Sequence, residues 1–165
     1  MDHSVMRTGM FPTSGSSVAL CGAVLLLAAP LAAAFTLADG THVDCIAGGK
    51  KVVEIEASPG DEVYRLGRTA IVASTGSGYR ITWNATKLKS LPAEVHDLMF
   101  FHECAHARVP TQDELKANCV GLKEMRAAGR AGFAVETKLA AFYGPRNAYW
   151  ENTLKCAAAD AGPPQ

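Results

Sequence analysis

His102, Glu103 and His106 stand in the order H-E-x-x-H, within the run Phe101-His102-Glu103-Cys104-Ala105-His106. Residues four apart lie on one face of a helix, so a helix here presents both imidazoles to the same ion. Glu103 sits about a quarter-turn from the histidines, within reach of a water held at that ion without being a ligand itself. The chemistry this pattern implies is a metal-activated water with Glu103 as general base. A zinc ion suits it, because zinc brings the pKa of such a water towards ~7.

A catalytic zinc takes three protein ligands and keeps a fourth position for water. The candidates for the third ligand are Glu114, eight residues past His106, with Asp113 and His42 in reserve. A tight turn through Val109-Pro110 folds a second helix back over the first and carries Glu114 towards the histidines. Thr111-x-x-Glu114 also has the form of a capping box, a competing use for the same carboxylate.

The segment Glu114-Leu115-Lys116-Ala117-Asn118-Cys119 resembles the E-L-x-A-D-C stretch that follows H-E-C-x-H in a group of small exported zinc metallopeptidase-like proteins. These in turn are similar to the gluzincins, in which E-x-x-x-D completes H-E-x-x-H. The likeness covers roughly residues 79 to 156. It implies that Glu114 is the third zinc ligand and that position 118 braces a ligand histidine. This chain has Asn118 where the pattern has aspartate. Its amide oxygen can accept from a ring N–H, but it lacks the charge that raises ligand basicity, a loss that typically costs ~10–100-fold in affinity or activity.

The elements that position these residues change character near residue 91. Before it, Val52–Glu56, Thr69–Ala73 and Tyr79–Trp83 are β-prone runs separated by turn signals, with Tyr79, Ile81 and Trp83 on one face. They predict a small antiparallel sheet, with Tyr79–Trp83 as an edge on which an extended polypeptide substrate could pair. After Pro92 the spacing of Leu98, Phe101, Cys104 and Ala105 is helical and ends at Pro110. Further helices are expected over Thr111–Ala128, Ala131–Phe142, and from Pro145 to about Ala158. Strands first and helices after define an α+β class in one domain, residues 35–160 (35–90 mainly β, 91–160 mainly α), with 161–165 a flexible tail.

Residues 1–34 read as a signal peptide. Arg7 precedes an apolar run from Val18 to Leu31, and Ala32-Ala33-Ala34 offers a small-x-small cleavage site before Phe35. The expected location is therefore secreted or periplasmic, with membrane attachment only if the run stays uncleaved. Leu20 before Cys21 argues against a lipoprotein. Cleavage leaves Cys45, Cys104, Cys119 and Cys156, an even number that predicts two disulfides with three possible pairings. Cys104–Cys119 would pin the two metal helices and Cys45–Cys156 the chain's ends.

The 165 residues are 48% apolar and 19% charged, with no net charge. That balance offers no basic surface for phosphates and argues against nucleic acid as a partner. Tyr143, Arg146 and Tyr149 fall where a donor to a developing oxyanion could lie. His96 is six residues before His102 and off the metal face, and Asn84-Ala85-Thr86 matches a glycosylation sequon. Two functions remain open: a zinc metallopeptidase, or a non-catalytic module in which zinc and disulfides serve as staples and a binding surface does the work.

Overall fold

The computed structural model describes residues 34–58 and 66–159; the expected signal peptide up to residue 33, the turn expected at Pro59-Gly60 and the tail expected over 161–165 lie outside it. The class is α+β, with seven short strands preceding five helices among the described residues. Strands β1 (Phe35–Thr36) and β2 (His42–Val43) form an antiparallel hairpin, as do β3 (Ile46–Ala47) and β4 (Lys50–Lys51). A three-stranded sheet follows, from β5 (Val53–Glu56), β6 (Gly67–Ile71) and β7 (Tyr79–Trp83), in the order β5-β7-β6.

This order corrects one expectation. Tyr79–Trp83 is the central strand, so it has no free edge for a substrate. The turn through Thr75–Gly78 joins β6 and β7 as an antiparallel hairpin, with Gly78 at φ 78°. β5 is thereby placed on the far side of β7, where it pairs in parallel. The period-two pattern does hold: Ile81 and Trp83 are buried on the face that Tyr79 shares.

The helices are α1 (Ala85–Leu88), α2 (Ala93–Arg108), α3 (Glu114–Ala127), α4 (Phe133–Tyr143) and α5 (Ala148–Ala159). Asn84 of the sequon caps α1, its Oδ1 accepting from Lys87 N at 3.0 Å. Ile81 and Trp83 of the sheet, Val95, Leu98 and Phe101 of α2, Leu122 and Met125 of α3, Leu139 of α4 and Trp150 of α5 share one core. The hairpin β1–β2 closes it from the side: the Phe35 ring lies 4.7 Å from Trp83, and Ala38 N donates to Asp97 Oδ1 at 2.7 Å. Glu54 is fully buried beneath Trp83, whose Nε1 donates to it at 2.9 Å. Burial pushes its pKa above the ordinary 4.5, against the opposing donors Trp83 and Cys45 N.

Two disulfides form, with pairing other than expected: Cys45–Cys104 and Cys119–Cys156. The reason is angular. Cys104 is two residues, or 200°, beyond His102, which faces α3, so it turns away from α3 towards the β half. Cys119 follows Asn118, which faces α2, and its 100° step aims it at α5 instead. Two such bonds fit a fold made outside the reducing compartments of the cell. Among the described residues no helix is long and apolar enough to cross a membrane.

The α2–α3 contact is closest at Gly121. A Cβ there would lie 2.8 Å from the His102 backbone nitrogen and 2.9 Å from the Phe101 carbonyl carbon. Backbone cannot yield as a side-chain tip can, so Gly121→Ala is expected to force the helices apart. Overpacking of this kind costs ~1–3 kcal/mol. Urea denaturation of the oxidised variant should show that loss, and its metal affinity should fall with it.

Candidate metal centre

α2 begins after Pro92 and carries His102 and His106 one turn apart on the face that meets α3. Its C-terminus at Val109 is followed by a short connection in which Thr111 Oγ1 accepts from Asp113 N at 3.1 Å. Asp113 then caps α3, its Oδ1 accepting from Lys116 N at 3.0 Å. The expected capping box through Thr111 is therefore replaced. Asp113 takes the capping role, and Glu114, the first helical residue, turns its carboxylate to the histidines instead.

His102, His106 and Glu114 form the group that could hold a metal ion. His102 Nε2 lies 3.1 Å from Glu114 Oε2 and 3.2 Å from His106 Nε2, and His106 Nε2 is 3.6 Å from the same carboxylate oxygen. The hydrogen-bond network fixes both tautomers. His106 Nδ1 is 2.8 Å from the Thr111 carbonyl, which can only accept, so Nδ1 carries a proton and Nε2 is the bare nitrogen of the neutral ring. His102 Nδ1 lies 3.3 Å from Asn118 Oδ1, whose amide nitrogen donates to Thr153 Oγ1 at 3.0 Å, leaving the oxygen as acceptor. His102 Nε2 is then bare as well.

Three lone pairs thus converge. Bonds of ~2.0–2.1 Å to a tetrahedral ion separate the ligand atoms by roughly 3.3–3.4 Å, and the observed spacings of 3.1, 3.2 and 3.6 Å bracket that span. The donor set fits a metal ion on chemistry and on geometry. Burial holds the His102 imidazole below its usual pKa range, with Glu103 the largest opposing influence, and so favours the neutral form a metal requires.

The reserve ligands are elsewhere. Asp113 is the cap just described, and His42 sits in β2 beside Thr36 Oγ1 at 3.0 Å. His96 contacts Asp97 at 3.1 Å and the Phe35 ring, outside the group. Glu103 is buried, and Thr69 Oγ1 of β6 lies 2.8 Å from its Oε2. Gly67 of the same strand permits that approach, since a Cβ there would fall 2.6 Å from the Trp83 ring and 2.9 Å from Glu103 Cγ.

Of the three oxyanion candidates, Tyr149 donates its hydroxyl to the Glu114 carbonyl at 2.9 Å. Burial, Tyr143 and the Glu114 and Asp113 charges push its pKa up and keep it a donor. Tyr143 stacks on Trp150 with centroids 5.0 Å apart, and burial raises its pKa while Asn118 opposes the shift. Tyr149 thus ties α5 to the start of α3, and Tyr143 packs α4 on α5. Arg146 is exposed in the α4–α5 connection at φ 57°.

Thr69, Gly67, Thr153 and the Thr111 carbonyl escaped the sequence reading, because a hydroxyl or a carbonyl carries no spacing signature. Gly121 did leave a signal, a glycine inside a helical pattern. Comparison with protein-family models, curated proteins and solved structures finds no match.

Asn118 joins His102 to α5 through Thr153, which in turn donates to Tyr149 O at 3.0 Å. Asn118→Ala is expected to weaken metal binding ~10–100-fold while leaving stoichiometry at saturating metal unchanged. Competition with a chromophoric chelator reads both quantities.

Proposed function

We propose that this chain is an exported zinc-dependent peptide hydrolase of gluzincin-like design. The observation that carries the reading is the convergence of bare nitrogens from His102 and His106 on Glu114, with Glu103 next in sequence to the first histidine. Two imidazoles and a carboxylate are a donor set suited to zinc. Among the described residues no fourth His, Cys, Asp or Glu joins the group. A structural zinc is closed by four protein ligands, whereas three protein ligands belong to the catalytic kind.

Zinc held by His102, His106 and Glu114 would supply Lewis acidity, drawing the pKa of a water towards ~7. Glu103 accepts the water's proton as its oxygen attacks the peptide carbonyl carbon. The same carboxyl then returns the proton to the amine nitrogen as the C–N bond breaks. The substrate is an extended polypeptide lying along β6, the sheet edge beside α2, in place of the edge expected at Tyr79–Trp83. The apolar segment before Phe35 is the export signal, and the mature chain is secreted or periplasmic.

A second reading has specific support: Asn118 is uncharged, and Glu103 is 6% exposed with a hydroxyl on its carboxylate. On that reading zinc and two disulfides staple a binding module. Glu103→Gln separates the two. The hydrolase reading predicts that turnover of an unfolded polypeptide falls at least ~100-fold, with one zinc per chain retained. Full activity in that variant would remove Glu103 from its role.

A further inference from the structure

Thr69, in the middle of β6, joins the sheet to the residue beside the metal ligands. Its Oγ1 is 2.8 Å from Glu103 Oε2 and 2.7 Å from the Glu103 carbonyl oxygen. A hydroxyl has a single proton, so it serves one acceptor at a time. It either holds the carboxylate or turns to the carbonyl and releases the carboxylate to accept a proton elsewhere.

The strand's register adds a second fact. Val72 N donates to Gly78 O at 2.8 Å, and Asn84 N donates to Leu66 O at 3.0 Å, with the β6–β7 pairs between them in unbroken antiparallel register. Bonded pairs alternate along such a ladder. Leu66, Arg68, Ala70 and Val72 therefore turn their backbone polar groups towards β7. Gly67, Thr69 and Ile71 turn theirs outward. Among the described residues β7 is the only strand paired with β6. Thr69 thus has its backbone on the outer edge and its side chain on Glu103.

We propose that Thr69 is the positioning residue for Glu103 and couples it to the outer edge of β6, so that the form of substrate acted on is an extended chain paired along Gly67–Ile71. Threonine is stiff at χ1, so fixing its φ and ψ by strand pairing also fixes where its hydroxyl points. A short peptide that leaves the edge unpaired does not set the base. The coupling concerns this chain's own residues; only its kinetic consequence rests on the hydrolase reading.

The test uses the oxidised mature protein, its Thr69→Val and Thr69→Ser variants, carboxymethylated casein as the extended probe and a blocked dipeptide as the short one. In metal-free protein labelled with ¹³C-glutamate, the Glu103 carboxyl resonance is identified by its loss in Glu103→Gln. Casein should move that resonance in the parent and in Thr69→Ser, and the dipeptide should not. In Thr69→Val the resonance should already be displaced and no longer respond. With zinc loaded, Thr69→Val should lower kcat on casein ~100-fold with KM little changed, and Thr69→Ser should restore most of it. A Glu103 resonance indifferent to Thr69→Val, or parental kcat in that variant, overturns the proposal. A parent that turns over neither probe removes the hydrolase reading, and the resonance alone then decides the coupling.

Discussion

Two imidazole nitrogens and a carboxylate oxygen, held 3.1–3.6 Å apart with the Nδ1 protons directed elsewhere, repel one another when both rings are neutral. A cation between them turns that repulsion into attraction, and burying it there requires these very lone pairs to replace its hydration. Much of the helical half is arranged to maintain this convergence. Gly121 lets α3 approach the backbone of His102, the Asp113 cap fixes where Glu114 starts, and the Thr111 carbonyl and Asn118 orient one ring each. Moving any of them shifts a ligand atom by a distance that matters on the scale of a ~2 Å bond.

The surrounding shell resists such movement by cross-linking. Cys104 is next to Glu103 and Cys119 next to Asn118, so each disulfide anchors the backbone one residue from a side chain that adjoins the centre. They close sequence separations of 59 and 37 residues, each worth about 4 kcal/mol in the chain-entropy account. One ties α2 to the β half and the other ties α3 to α5. The α2–α3 contact needs no disulfide of its own, because the glycine-mediated approach and the convergent ligands already lie between those helices. Asn118, Thr153 and Tyr149 extend the same bracing into α5.

What could be read in the sequence was whatever depends on spacing along one element. The i, i+4 histidines, the helix stop at Pro110, the alternation of Tyr79, Ile81 and Trp83 and the change from strands to helices are all local patterns. What could not be read depends on how elements meet. The parallel placement of β5 and the two disulfide pairings follow from angles between elements, to which spacing is blind. The competition for Glu114 was visible as a capping box, but its resolution required knowing that Asp113 would cap first. Thr69 lies 34 residues from Glu103, and nothing in its own strand marks it as a partner of the metal helix.

Whether His102, His106 and Glu114 together hold one metal ion is decided by elemental analysis of the oxidised protein beside its Glu114→Ala variant. One zinc per parent chain, lost or much weakened in the variant, is the expected result. A parent that binds no metal, or a variant that binds it undiminished, would rule out this three-ligand site.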